Sequence, residues 1–227
     1  MPSTNMAMQA DHFADARNRM VDSQIRPNRV SDPRILSAMR HLPRERFLPA
    51  NLWALAYADE NVPLGNGRFM MEPMVLARLL QAAGLRENER VLVAGAGTGY
   101  SAAVLAACGC RVTALEQDTP LLAIARGVLA SEAPSVTLVA GPLAAGWAAN
   151  APYDLIFIDG AVSGIPGAMA GQVQRESGRI LTAIHRDRQT TQAIIAEVTS
   201  AGTSIFPLFD CATPPIPALR NAPVFSF

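Results

Sequence analysis

The run Val91-Leu92-Val93-Ala94-Gly95-Ala96-Gly97-Thr98-Gly99-Tyr100 decides how the chain is read. An apolar, β-branched stretch passes without a linker into three spaced glycines and then into an alanine-rich helical stretch, which is the strand-turn-helix context of a nucleotide-binding loop. Glycine permits a tight turn and close approach of backbone to ligand, and the free N–H groups at the helix start face whatever sits there. A strand-to-helix turn can also use glycine for packing alone.

The spacing separates ligand classes. A dinucleotide loop needs G-x-G-x-x-G, and position 100 holds Tyr where the third glycine would stand; a phosphate-cradling P-loop needs a following Lys-Ser or Lys-Thr, which is absent. The observed G-x-G-x-G form is the one common for S-adenosylmethionine. The next strand-like run, Val112-Thr113-Ala114-Leu115-Glu116, ends in an acid about 20 residues past the first glycine, where a carboxylate can accept the hydroxyl hydrogens of a ribose. A solvated strand-end Glu is the plainer alternative, and the two features together favour a ribose-bearing ligand.

Outward from this motif, strand-like runs at Arg90 to Ala94, Arg111 to Glu116, Val136 to Ala140, Asp154 to Asp159 and Arg179 to Ile184 alternate with helical runs at Tyr100 to Cys108, Pro120 to Glu132 and Gly164 to Val173. Such alternation predicts an α/β fold with a mostly parallel, doubly wound sheet and helices on both faces. Before it, Pro73 starts and Gly84 ends a helix with Met74, Leu76, Ala77, Leu79, Leu80 and Ala83 as its apolar stripe. Upstream, Asp11 to Leu48 is charged and broken by Pro27, Pro33 and Pro43, with helical spacing in Ile35, Leu36, Met39 and Leu42. Asn51 to Gly67 predicts an irregular wall that returns through a turn at Gly65 and Gly67. Downstream, Ser204 to Phe209 and Val224 to Phe227 flank a loop with Pro214, Pro215 and Pro217, which predicts an antiparallel edge; Phe206, Phe209, Phe225 and Phe227 point to packing of this tail on the domain or on a second chain, with simple burial in an edge strand as the favoured reading. The expected organisation is one domain, with residues 1–72 as a helical N-terminal extension and 73–227 as the core.

Composition narrows the function classes. Half of the 227 residues are hydrophobic and 17% are charged, which excludes a disordered chain. Nineteen basic and 19 acidic residues leave no net charge to attract nucleic acid or an anionic membrane, so neither is expected as a partner. The densest basic stretch, His41 to Arg46, reads as a solvated corner. Cys108, Cys110 and Cys211 are too few and too irregular for a disulfide framework or a zinc site, and no metal is expected. Without a secretory pattern or a long apolar run, a cytoplasmic location is expected.

Several ordered stretches resemble the protein-L-isoaspartate O-methyltransferase family. They are Met20-Val21-Asp22-Ser23-Gln24-Ile25-Arg26, Leu42-Pro43-Arg44-Glu45-Arg46-Phe47-Leu48-Pro49, Ala56-Tyr57-Ala58-Asp59 with Val62-Pro63-Leu64-Gly65, Gly97 to Ala106, Pro152-Tyr153-Asp154-Leu155-Ile156 and Ile165-Pro166. The resemblance runs from about Arg19 to Ile184, and the tail fits less closely. It implies a Rossmann-like methyltransferase fold, S-adenosylmethionine as cofactor and S-adenosylhomocysteine as product. It also implies the carboxylate of an isoaspartyl residue in a damaged protein or peptide as acceptor, with residues 1–72 on the acceptor side. Cofactor-binding positions on this reading are Gly95, Ala96, Gly97, Thr98, Gly99, Glu116, Gln117, Pro142, Leu143 and Asp159.

Departures from the family pattern cluster at the site. A Gln-Thr-Ile-Ser-Gln-Pro type segment is replaced by Arg68-Phe69-Met70-Met71-Glu72-Pro73, so Met71 stands where an acceptor-binding hydroxyl is expected. Val93 replaces an acid, and Gly141-Pro142-Leu143 replaces a Gly-Asp-Gly segment. Asp159 replaces a small residue, with a cofactor-ammonium contact, a general base or a helix cap as its readings. Arg68, Met70, Met71 and Asp159 are the acceptor-site candidates, and no catalytic residue is assigned. Two further readings stand beside the leading one: a methyltransferase with a small hydrophobic or other peptide acceptor, and a non-catalytic binding or regulatory module on the same fold.

Overall fold

The structure, a computed structural model, describes residues 2–185 and 190–220. Its centre is a seven-stranded sheet built from β3 (Arg90–Ala94), β4 (Arg111–Glu116), β5 (Thr137–Ala140), β6 (Leu155–Val162), β7 (Arg179–His185), β8 (Thr191–Thr199) and β9 (Gly202–Cys211) in the order β5-β4-β3-β6-β7-β8-β9. The first five in that order are parallel, and β8 and β9 close the sheet as an antiparallel hairpin. Strand order reverses on either side of β3, so the crevice for a ligand opens at its carboxyl end.

Register then sets the site. Ala94 pairs with Leu115 on one side and Ile158 on the other, so Gly95, Glu116 and Asp159 emerge side by side at the sheet's carboxyl edge. Along β3 the side chains alternate between two cores. Val91 and Val93 join the larger one with Met20, Ile25, Phe47 and Leu76, while Leu92 and Ala94 join the smaller one with Leu115, Ile158, Ile180 and Ile216. A strand buried on both faces reads as a continuous apolar run, as β3 does.

Local chemistry explains the helices. α2 (Pro33–His41) and α5 (Thr119–Glu132) begin at Asp32 and Asp118, whose carboxylates accept from the Arg34 and Leu121 N–H groups. α3 (Pro73–Ala82) carries proline in its first turn, and α4 (Tyr100–Ala107) leaves the glycine turn directly. α1 (Pro2–Met20) opens the extension, whose buried Met20, Val21 and Ile25 belong to the larger core. Gly99 sits at φ +97°, and a Cβ there would stand 2.9 Å from Leu129 Cδ1, so turn geometry and packing against α5 both call for glycine.

The secondary structure differs from sequence expectation in four places. Asn51 to Gly67 is more regular than expected: a 3-10 turn at Ala50–Leu55 leads into a hairpin of β1 (Val62–Gly65) and β2 (Arg68–Met70). The helix expected over Gly164 to Val173 shrinks to the single turn α6 (Gly167–Ala170). Strand β8, not anticipated, has Ala193, Ile194 and Ala196 buried, so both of its faces are apolar and no alternation marks it. The tail strand over Ser204 to Phe209 extends to Gly202–Cys211, with Phe206 exposed and Phe209 under the Arg78 guanidinium; Val224 to Phe227, with Phe225 and Phe227, lies outside the described residues. No helix among the described residues is long and apolar enough to cross a membrane.

Candidate active site

Glu116 is fully buried, not a solvated strand end. Its carboxylate accepts from the backbone N–H groups of Gly97 at 2.7 Å, Gln117 at 2.8 Å and Asp118 at 3.0 Å. Arg68, from β2, adds its Nη1 to both oxygens at 2.8 and 2.9 Å and its Nη2 to the Gly95 carbonyl at 2.8 Å. A carboxylate offers about four lone-pair positions, so this one is saturated. Arg68, a candidate for gripping an acceptor carboxylate, is here engaged by the chain's own acid.

The rest of the cradle is equally occupied. The Gly95 and Ala96 N–H groups donate to Leu115 O, Thr98 is buried and the Gln117 side-chain carbonyl accepts from Leu143 N–H at 3.1 Å. Pro142 is exposed at the head of a 3-10 turn, while Leu143 points inward. A Cβ on Gly95 would stand 2.9 Å from Ile216 Cδ1, 3.2 Å from Arg68 Nη2 and 3.6 Å from Leu143 Cδ1. Ile216 belongs to the Pro-rich tail, which runs beside Ala161: Ala161 N–H donates to Pro214 O at 3.0 Å and Ile216 N–H to Ala161 O at 2.9 Å. No sequence signal locates this segment over the glycine turn.

On the other side of the turn lies Asp159. Its Oδ2 accepts from Ser101 Oγ, and its Oδ1 is sealed from solvent without a hydrogen-bond partner. Arg44 is wholly buried, donates from Nε to Ala56 O at 2.8 Å and from Nη2 to Met71 O at 2.7 Å, and lies 4.6 Å from the Tyr100 ring centroid. The His41 to Arg46 stretch is therefore no solvated corner. Arg44 and Glu45 turn inward because Pro43 and buried Phe47 fold the segment onto α4. The place of Arg44 in the family motif is the one sequence signal that marks it.

Arg44 Nη1, Tyr100 Oη and Asp159 Oδ1 are all buried and unpartnered, and all three residues line one cavity of about 10 Å³ walled by Leu64, Phe69, Met70 and Met71. That is room for one water. A second cavity of about 10 Å³ lies between Asp159, Arg68 and the tail segment Thr213–Ile216. Val93, by contrast, is plain core.

Burial pushes the Asp159 carboxyl up to about 6, against the opposing pull of Ser101, Arg68 and Arg44, while Glu116 adds to the rise. Between the ordinary 3.8 and about 6 the folded state keeps a proton that the unfolded chain has lost. Stability thus falls as pH rises through this window and is flat above it. Asp159→Asn is expected to gain stability relative to wild type on going from pH 4 to pH 7, by on the order of 2 kcal/mol. Urea unfolding at both pH values checks this, and equal differences at the two would refute it.

Comparison with known proteins places this geometry in a family. A family model described as protein-L-isoaspartate(D-aspartate) O-methyltransferase matches residues 15–204. The chain belongs to that family. The isoaspartate O-methyltransferase of Methylorubrum extorquens (strain PA1) is 41% identical over 168 residues, which are 74% of this chain and 73% of the relative. The one from Methanoculleus marisnigri is 34% identical over 178 residues, 78% of this chain and 80% of the relative. A solved protein-L-isoaspartate O-methyltransferase superposes with TM-score 0.78 at 24% identity, over 90% of this chain and 67% of its own. A putative one from Plasmodium falciparum, solved with S-adenosyl-L-homocysteine, gives TM-score 0.74 at 16% identity over 88% of this chain and 97% of its own.

The isoaspartate O-methyltransferases are S-adenosylmethionine-dependent enzymes, and the sheet order, glycine turn and strand-end carboxylate of this member keep that architecture. In the present arrangement the cradle has the hydrogen-bonding groups of a nucleoside site but not the room for one. Drug-sized ligands occupy cavities of roughly 300 Å³ or more. The two cavities here hold about 10 Å³ each.

Proposed function

We propose that this family member carries out methyl transfer to the free carboxylate of an isoaspartyl residue in a protein or peptide, in the cytoplasm. Residues 1–72 would form the acceptor side of the 73–227 core. The observation that carries this reading is the register that sets the glycine turn between Glu116 and Asp159 at the sheet's switch point. S-adenosylmethionine, when bound, supplies an electrophilic methyl group to a nucleophile that needs little activation, so alignment and exclusion of water are the chain's main tasks.

Glu116 and the Gly97 to Gly99 turn are the groups for the nucleoside, with Gln117 and Leu143 at their side. Arg44 and Tyr100 bring unpartnered polar atoms to the adjoining chamber, which has to widen beyond its room for one water before an acceptor carboxylate can meet the guanidinium and the phenol as donors. Met71 offers no hydroxyl, so acceptor contacts fall to Arg44 and Tyr100.

Label from methyl-tritiated S-adenosylmethionine is expected on an isoaspartyl peptide, as a base-labile ester, and not on its normal aspartyl counterpart. Absence of label from both overturns the reading. Phe69, Met70 and Met71 around the chamber favour a second reading, a small apolar acceptor, which transfer to an aromatic carboxylic acid in preference to the isoaspartyl peptide would select.

A further inference from the structure

The cradle is filled by two pieces of the chain, one from just before the core and one from near its far end. Arg68 lies between β1 and α3, and Ile216 lies beyond β9. Arg68 takes both Glu116 oxygens and the Gly95 carbonyl, the acceptors that a ribose and its neighbours would use. Ile216 fills the space above Gly95 and Gly160; a Cβ on Gly160 would fall 2.5 Å from Ile216 Cγ1. Pro217 closes over the hairpin turn, 3.0 Å from where a Gly67 Cβ would be. The segment is held as a strand-like bridge on Ala161, and Asn61 Nδ2 donates to Ala212 O at 3.1 Å.

We infer that Arg68 and the tail segment Thr213–Leu219 form an internal plug that occupies the nucleoside cradle, and that cofactor enters only when both are displaced. The inference rests on the reading that this cradle binds an adenosyl cofactor. Charge balance supports it: the buried guanidinium neutralises the carboxylate that a neutral ribose would leave ionised, so the closed state is self-sufficient. Glu116 keeps three backbone N–H donors after Arg68 leaves, so the open state remains foldable. Apolar Ile216 walls the cavity between Arg68, Asp159 and Gly160 and packs over Gly95, so its withdrawal enlarges that cavity toward the glycine turn.

The test is calorimetric titration of the full chain with S-adenosylhomocysteine for wild type, Arg68→Ala and Ile216→Ala, with hydrogen exchange of the Ala161 and Ile216 amides alongside. Both variants are expected to bind at least tenfold more tightly than wild type. Saturating ligand is expected to strip protection from the Ile216 amide in wild type. Equal affinities in all three proteins, or wild-type binding with Ile216 still protected, would overturn the plug and leave the cofactor reading intact. Absence of binding in all three proteins would overturn both.

Discussion

Glu116→Ala is expected to lower stability by about 3–5 kcal/mol, the cost of removing one partner of a buried ion pair. The substitution leaves the Arg68 guanidinium without its counter-charge and strips the acceptor from the Gly97, Gln117 and Asp118 N–H groups. At roughly 2–4 °C per kcal/mol for a chain of this size, the melting temperature should fall by about 10 °C. Thermal and urea unfolding read the effect directly, and a loss under about 1 kcal/mol would mean that solvent reaches the pair. Loss of nucleoside binding in this variant would not isolate a ribose contact, because the same carboxylate anchors the turn. Arg68→Ala separates the two roles.

An equal loss, about 3–5 kcal/mol, is expected for Glu89→Ala at the opposite edge of the sheet. Arg179 donates from Nη1 and Nη2 to the two Glu89 oxygens at 2.9 Å each, and from Nε to Ala83 O at 2.6 Å. Glu89 also accepts from the Arg86 N–H at 3.1 Å. Both side chains are buried, and together they tie the end of α3 to the starts of β3 and β7. The cradle stands at the far end of the same strands. Affinity for S-adenosylhomocysteine, measured well below the lowered melting temperature, should therefore stay within about twofold of wild type. A matching loss of affinity would show that the two edges are coupled.

The parts of the fold written in short-range pattern are legible in the amino-acid sequence. The strand, glycine turn and α4 lie within one continuous run, and the Glu116 position follows from the length of one β-α-β unit. The sheet's parallel half follows from alternation of apolar strands with helices. What the sequence hides is what tertiary packing decides. Arg68 and Glu116 are distant along the chain, and a lone Arg beside a glycine-rich turn carries no mark of the acid it will meet. Arg44 sits among charged neighbours, and only the burial of Phe47 and the fold of Pro43 send it inward. β8 is hidden because inward residues on both faces erase its period, and the covering role of Ile216 is hidden because the tail's route over the sheet edge is a long-range property.

The antiparallel hairpin of β8 and β9 has a consequence for reach. A segment that had to find Ala161 from a free chain end would carry the loop-closure entropy of every residue between, a cost that grows with the logarithm of their number. Here β9 delivers Cys211 opposite Thr191, whose hydroxyl donates to the Cys211 carbonyl at 2.7 Å, and only Ala212 and Thr213 separate that anchor from Pro214. The leash is two residues long. A tether this short keeps Ile216 at a high local concentration over Gly95. If the tail segment plugs the cradle, loosening the Thr191–Cys211 anchor of the edge hairpin lengthens its leash and lowers that local concentration.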